Sequence, residues 1–191
     1  MKTLKIAVLS SDIVWADREE NLFITEKTLS RLEKGIDIAV LPELFNIGFV
    51  DTPELIERLS EDSSDSSTIL KLKEWSHKYN CAIAGSLLIK EGEKYFNRAF
   101  FVEPSGETTF YDKKHLFRIG NESRYYNAGS KTIPIIRFRG WNIALAVCYD
   151  LRFPAWLRNQ RSHSYDLLII PANWPQKREY AWRHLLIARA I

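Results

Sequence analysis

The chain has 191 residues, of which 46% are hydrophobic and 27% charged, with 8 Gly, 7 Pro and 2 Cys. This is enough apolar sequence for a single domain over residues 1–191, and it excludes a disordered, collagen-like or disulfide-stapled chain. The net charge of +3 divides unevenly: residues 1–95 carry 12 Lys/Arg against 17 Asp/Glu (−5), and residues 96–191 carry 15 against 7 (+8).

The basic second half is compatible with nucleic acid, with an anionic small ligand or with an ordinary solvated face. Without a Lys/Arg block, zinc-finger spacing or RNA-recognition motif, we expect no nucleic-acid partner and favour a small anionic molecule. No apolar run has the length of a membrane span, and Asp12 comes too early for a signal peptide. The two cysteines, one in each half, predict reduced thiols and a cytoplasmic location.

The first half of the chain alternates short apolar runs with helical patterns. Its predicted elements are a buried strand at 4–9, a helix from 17, a buried strand at 36–41, a linker-like stretch at 61–67 and a helix at 68–79. The first helix begins at Asp17, because Glu20 completes a capping box, and Gly35 stands where a C-cap glycine belongs.

The second half is richer in strands. Its predicted elements are strands at 81–89, 95–102 and 108–111, an irregular polar stretch at 113–131, a hairpin of strands at 133–138 and 141–147, a helix from about 154, a strand at 166–170 and a helix from about 177. Helices at both ends with antiparallel strands between them favour an α/β fold in which helices cover sheet layers.

Cys148 has the clearest chemical potential. It follows the apolar strand at 141–147 and precedes YDLRFP, a turn into a helix, so its side chain would be held rigidly near the positive end of that helix. Such a field favours the nucleophilic thiolate. The alternative, a buried cysteine that acts as a small hydrophobe, suits Cys81 better, since Cys81 opens an apolar strand with no turn after it.

A cysteine that attacks an amide needs a proton acceptor, an oxyanion donor and an acid for the departing amine. Glu43, at the mouth of the strand at 36–41, is placed for both proton transfers, although it could also be a solvated loop carboxylate. Lys113 and Lys114 follow the strand that ends at Tyr111. Either could contact the oxyanion, and the alternative is a surface lysine pair.

Three segments together resemble the signature segments of the nitrilase superfamily, the carbon–nitrogen hydrolases. They are LPELF at 41–45, DKKHLF at 112–117 and VCYDLRFP at 147–154. The resemblance implies a four-layer αββα sandwich and a Glu–Lys–Cys triad with no metal and no organic cofactor. It also implies a homodimer or higher homo-oligomer.

Carried over residue by residue, the resemblance makes Glu43 the general base and acid and Cys148 the nucleophile that forms a thioester. The lysine motif of the family selects Lys113 over Lys114 and leaves His115 structural. A second glutamate of the family matches Glu122, which would orient the lysine or share the proton transfer.

Residues 148–154, together with PANWP at 171–175 and the segment 178–191, resemble the ω-amidase branch. Those enzymes deaminate amides of 2-oxo dicarboxylic acids, such as 2-oxoglutaramate and 2-oxosuccinamate. We therefore expect a small amide that carries a carboxylate. The predicted substrate-binding residues are Tyr149, Trp174, Arg124 and Arg178, with Arg118, Tyr125 and Tyr126 as further candidates. The three arginines could equally be solvated, and Trp174, Tyr125 and Tyr126 could equally be core aromatics.

Two other functions stay open. One is an N-carbamoyl amino acid hydrolase or aliphatic amidase of the same superfamily, and the other is a non-catalytic nitrilase-fold module that binds a ligand. The presence of all triad residues favours an enzyme. Because the chain stops at Ile191 inside a helical pattern where family members continue with further strands, we expect it to lack the C-terminal portion of the fold.

Overall fold

A computed structural model of the protein describes residues 3–160 and 164–191. The strands are β1 (Ile6–Val8), β2 (Ile38–Val40), β3 (Glu61–Asp62), β4 (Ala82–Glu91), β5 (Lys94–Val102), β6 (Thr108–Asp112), β7 (Ile135–Phe138), β8 (Trp141–Leu145) and β9 (Leu167–Ile169). The α-helices are α1 (Arg18–Leu29), α2 (Pro53–Leu59), α3 (Ser67–Tyr79), α4 (Glu122–Tyr125), α5 (Pro154–Leu157) and α6 (Glu179–Ala190). Short 3₁₀ helices span Arg118–Gly120, Cys148–Arg152 and Gln176–Arg178.

The strands form two sheets. The first runs in the order β1-β2-β4-β5-β6, with β3 paired beside β4, and the second runs β7-β8-β9. The β1, β2 and β4 strands are parallel to one another, whereas β4, β5 and β6 are joined as antiparallel neighbours. In the second sheet, β7 and β8 form the predicted hairpin and β9 lies parallel to β8.

The period-2 alternation of side chains divides the core into layers. On one face of the first sheet, Ala39 and Ile83 pack against α1 and α3. On the opposite face, Phe101 meets Phe138 of β7 edge to face, with ring centroids 5.4 Å apart. Trp182 of α6 packs partly buried against the second sheet's cluster. The predicted αββα order of layers is therefore confirmed.

Local predictions failed at three places. The strand predicted as buried at 4–9 is the sheet-edge strand β1, and Val8 is 78% exposed because only one neighbour, β2, pairs with it in the described chain. The linker-like stretch at 61–67 contains β3, where buried Glu61 accepts hydrogen bonds from Thr68. The polar stretch at 113–131 contains α4, and α2 was not anticipated.

The predicted helix boundaries agree better with the structure. The Asp17 side chain caps α1 by accepting the Glu20 N–H at 3.1 Å, as predicted, although the helix ends at Leu29, before Gly35. Among the helices of the described chain, none is long and apolar enough to cross a membrane.

Candidate active site

The backbone brings together three chain segments that follow strands of the two sheets. Glu43 lies just beyond β2, Lys113 directly follows β6, and Cys148 lies just beyond β8. Two residues of these segments adopt left-handed backbone conformations, Leu44 at φ 49° and Cys148 at φ 41°. A non-glycine residue is rarely held this way, and such strain is concentrated at functional sites.

Lys113 is the centre of a buried charge cluster. Its Nζ donates to Glu43 Oε1 at 2.8 Å and to both carboxylate oxygens of Glu122 at 2.9 Å. The side chains of all three residues are at most 2% exposed. Lys114 instead donates to the Gly129 carbonyl at 3.1 Å, so Lys113 is the lysine at the site.

The two oxygens of Glu43 have different surroundings. Oε1 accepts from Lys113 and from the side-chain amide of Asn97, both at 2.8 Å. Oε2 accepts the Asn173 backbone N–H at 3.0 Å. The carboxyl and the Asn173 N–H both face the Cys148 thiol. The structure thus brings together Glu43, Lys113 and Cys148, as the sequence predicted.

Burial and the neighbouring Glu43 charge raise the pKa of the Cys148 thiol well above its ordinary value, and Lys113 lowers it only in part. The expectation that the local field favours thiolate was therefore wrong. Cys148 opens a 3₁₀ turn, and α5 behind it has one turn, so a long aligned helix dipole is missing from this part of the described chain. The resting thiol needs a base.

The charges of the cluster oppose one another. Burial alone would lower the pKa of the Lys113 ammonium, but the attraction of Glu43 and Glu122 outweighs it and raises that pKa, so the lysine stays charged. Burial raises the pKa of Glu122, Lys113 opposes this shift, and Glu43 adds to it. Two carboxylates beside one ammonium leave the cluster able to hold an additional proton.

Asp150 joins the lysine loop to the cysteine turn. Its Oδ2 accepts from the Tyr111 hydroxyl at 2.9 Å and from the Val147 N–H at 3.1 Å. Its Oδ1 accepts from the His115 N–H at 2.9 Å and lies 2.7 Å from His115 Nδ1. Because Tyr111 and His115 flank Lys113, and Val147 precedes Cys148, one buried carboxylate fixes both. His115 contacts Asp150 and lies outside the cavity lining, and its structural role stays a prediction.

A cavity of about 570 Å³ opens above this cluster. Trp174 and Tyr149 form part of its wall, and Arg152 lies over both rings, 5.3 Å and 5.9 Å from their centroids. Arg178 also lines the cavity and lies over the Phe117 ring at 4.9 Å. The cavity therefore offers aromatic walls and two guanidinium groups next to the thiol.

Three of the four predicted substrate-binding residues, Tyr149, Trp174 and Arg178, line the cavity. Arg124 does not. On α4, residues two positions apart point to nearly opposite sides, and Glu122 faces inward. Arg124 is exposed, over the ring of Tyr125. The further candidates Arg118, Tyr125 and Tyr126 also lie outside the cavity lining.

Sequence reasoning missed Asp150, Arg152 and Asn97 at this site. Arg152 belongs to the segment at 147–154, and its place four residues after Cys148 was the available signal. Asn97 interrupts the apolar run of β5, a weak signal that only the structure makes specific. Within the described residues, no group of three His, Cys, Asp or Glu side chains is arranged to hold a metal ion.

Comparisons with known proteins agree with this geometry. The family model of carbon–nitrogen hydrolases matches residues 5–191. The omega-amidase YafV of Yersinia enterocolitica is 39% identical over 191 residues, which cover all of this chain and 71% of that protein. The 2-oxoglutaramate amidase of Bacillus subtilis is 33% identical over 187 residues, 97% of this chain and 71% of that protein.

A solved structure is also similar. XC1258 of Xanthomonas campestris, described as a CN-hydrolase superfamily protein with an arsenic adduct in the active site, matches with a TM-score of 0.93 and 36% identity. The match covers 100% of this chain and 72% of that one.

Proposed function

Since this chain belongs to the carbon–nitrogen hydrolase family, we propose that it is an ω-amidase, which releases ammonia from the terminal amide of a 2-oxo dicarboxylic acid. The observation that carries the proposal is the convergence of Glu43, Lys113 and Cys148 beside a cavity that two arginines line. Relatives 33–39% identical to it bear the names 2-oxoglutaramate amidase and omega-amidase.

In the first half-reaction, Glu43 Oε2 accepts the thiol proton as the Cys148 sulfur attacks the amide carbon. The oxygen of the amide becomes an oxyanion, which the Lys113 charge and the backbone N–H after Cys148 stabilise. Because the Lys113 hydrogens already have carboxylate acceptors, its contribution is mainly electrostatic. The C–N bond then breaks, and the departing amine takes the proton back from Glu43 as ammonia leaves.

In the second half-reaction, the acyl group is a thioester on Cys148. Glu43 removes a proton from a water molecule, whose oxygen attacks the thioester carbon. The C–S bond breaks, the sulfur regains the proton, and the dicarboxylic acid is released. Glu122 keeps Lys113 in place between the two carboxylates throughout both steps.

The end of the substrate opposite the amide supplies the specificity. A 2-oxo acid presents a carboxylate and an adjacent carbonyl, both acceptors of hydrogen bonds. Arg152 and Arg178 are the guanidinium groups of the cavity lining, and such groups bind carboxylates in a planar, two-point manner. Trp174 and Phe117, beneath these guanidiniums, would limit the cavity to short chains.

The test is ammonia release from a panel of amides: 2-oxoglutaramate, 2-oxosuccinamate, N-carbamoyl amino acids and propionamide. We expect fastest release from the 2-oxo acid amides and none from Cys148→Ala, with Cys81→Ser as the matched control that retains activity. Faster turnover of carbamoyl amino acids or of propionamide would assign the chain to another branch of the family. No release from any amide would favour the binding-module alternative.

Two further expectations stay proposals. The resemblance implies a homo-oligomer in solution, and the cysteine usage predicts a cytoplasmic location in which the free thiols of Cys81 and Cys148 stay reduced. Sedimentation equilibrium tests the first, and fractionation of the producing cell tests the second.

A further inference from the structure

Asn97 is a fully buried amide in β5 whose side chain bridges two acids. Its Nδ2 donates to Glu43 Oε1 at 2.8 Å and to Glu122 Oε1 at 3.1 Å. Its backbone carbonyl accepts the Lys113 N–H at 2.9 Å. One residue therefore contacts both carboxylates and the lysine between them, without lining the cavity itself.

The orientation of this amide follows from chemistry. The opposite orientation would place Oδ1, which accepts only, against two carboxylate oxygens, and each contact would be repulsive. With Nδ2 toward the acids, each of its two hydrogens has one acceptor. Both Oε1 atoms must then be unprotonated, since a protonated oxygen would present a hydrogen to another hydrogen.

The consequence concerns where a proton can be held. Glu43 Oε1 already accepts from Lys113 and Asn97, whereas Oε2 accepts the Asn173 N–H, and that same N–H also faces the Cys148 thiol. We propose that Asn97 is a positioning residue that holds Oε1 of both glutamates as acceptors and directs the thiol proton to Oε2 of Glu43. This inference rests on the proposed role of Glu43 as base.

Several titratable and charged groups face this position from the surrounding elements. They are Lys113 after β6, Glu122 on α4, Tyr126 after α4 and Cys148 after β8, with Asp51, Arg152 and Arg178 at the cavity. Tyr126 donates its hydroxyl hydrogen to the Val50 carbonyl at 2.8 Å, so it is not a donor to either acid. Apart from the Cys148 thiol, Lys113 and Asn97 are thus the side-chain donors to the carboxylate pair within the described chain.

The test removes the amide and follows pH. In Asn97→Leu, which is similar in size, the ionised carboxylates lose two hydrogen bonds, so the pair should hold its proton to higher pH. The acidic limb of kcat/KM for 2-oxoglutaramate should move up by about one pH unit, because hydrogen bonds to charged groups are strong. KM at the alkaline plateau should stay within about twofold, since Asn97 does not touch the cavity.

The matched control is Asn46→Leu. Asn46 is also buried, and its amide also donates to a buried glutamate, Glu61, at 3.2 Å, but it lies outside the cluster around Lys113. We expect this variant to lose stability and to keep the wild-type pH limb. Asn97→Asp, which keeps the shape and adds a third carboxyl group, should move the limb further upward than Asn97→Leu.

A second readout needs no substrate. The rate of iodoacetamide labelling of Cys148, separated from Cys81 by peptide mass spectrometry, should reach half its maximum at a higher pH in both Asn97 variants. If the wild type releases no ammonia from 2-oxoglutaramate, the proposed function fails. The pH dependence of Cys148 labelling still decides the role of Asn97 in that case. The inference would be overturned if a folded Asn97 variant had the same acidic pH dependence as the wild type. Failure of both Asn97 variants to fold, with Asn46→Leu folded, would overturn it too.

Discussion

Arg178 is a residue that we propose for carboxylate recognition. It enters the cavity from the short helix before α6, its guanidinium lies 4.9 Å from the Phe117 ring centroid, and its backbone carbonyl accepts the Trp174 indole N–H at 2.9 Å. Its backbone is therefore anchored while its guanidinium lines the cavity. Under the proposed function, a charge held this way would discriminate between acids and neutral amides.

Replacing Arg178 by Leu should raise KM for 2-oxoglutaramate by roughly tenfold or more, because a charge-assisted hydrogen bond to the substrate carboxylate is lost. KM for propionamide, which has no carboxylate, should change by less than about twofold. Steady-state ammonia assays on both substrates measure the difference. Arg137→Leu, on an exposed position of β7, is the control, and an equal rise for both amides in R178L would argue against carboxylate binding.

Single residues could be predicted from the sequence where they belong to a signature segment. Glu43, Lys113 and Cys148 could be predicted because each is part of a short recognisable motif at the end of a strand. Asn97 could not, since its partners lie 25 and 54 residues away and meet it only through the register of β4, β5 and β6. Arg124 failed for a related reason, because the side of α4 that faces inward is set by tertiary packing.

Among the elements, the turn after β8 depends on Asp150. The Asp150 carboxylate accepts from Tyr111, His115 and Val147, and the His115 ring stacks on Phe153 with centroids 3.6 Å apart. The loop after β6 and the turn after β8 are therefore joined into one unit by this carboxylate. Sequence patterns placed these two segments at strand ends, but the carboxylate that joins them was not recognised.

Asp150→Asn should weaken this unit, because in either orientation the new amide hydrogens would face a backbone donor, the Val147 N–H or the His115 N–H. We expect a loss of about 2–4 kcal/mol in the free energy of unfolding, typical of a broken buried hydrogen-bond network. We also expect kcat to fall at least tenfold, since small misplacements of a nucleophile slow catalysis strongly. Urea unfolding and ammonia release provide the two measurements.

Asp166→Asn is the matched control for that experiment. The exposed Asp166 carboxylate accepts one hydrogen bond, from the Asn142 N–H at 2.8 Å. Its replacement should alter the unfolding free energy by less than about 1 kcal/mol. An Asp150→Asn protein as stable and as active as wild type would show that the two segments are held independently of the carboxylate.

For the molecule as a whole, the order of helices and strands was enough to predict the αββα layers. It was not enough to predict that β1 is an exposed edge, because Ile6 and Val8 are as apolar as the residues of buried β2. Hydrophobicity indicates a strand, whereas its burial depends on which neighbours pair with it. The burial of ionisable side chains in this fold also depends on tertiary packing. These buried groups make the stability of the protein depend on pH.

Stability should fall at alkaline pH. Burial is the first cause of the raised pKa values of Cys81, Cys148, Tyr111 and Tyr126, and the Glu43 and Glu122 charges outweigh burial to raise that of Lys113. Each folded group keeps its proton at a pH where the unfolded group has lost it, so stability is complete below the unfolded pKa and declines above it. The decline should begin near pH 9, the ordinary value for the cysteines.

We expect the free energy of unfolding to be about 2–4 kcal/mol lower at pH 10 than at pH 8. Urea titrations across that range measure it, and Cys148→Ala should make the decline shallower by about 1 kcal/mol, since one contributing thiol is removed. Lys94→Met, at an exposed lysine, should leave the slope unchanged. A free energy of unfolding that does not change between pH 8 and pH 10 would contradict this explanation from raised pKa values.

The left-handed backbone at Cys148 has an evolutionary consequence. At φ 41°, glycine would relax the turn that a cysteine strains, so the substitution that best relieves this position also removes the sulfur. Under the proposed role of Cys148, stability and turnover therefore make opposite demands on this position, and selection for turnover keeps the cysteine there.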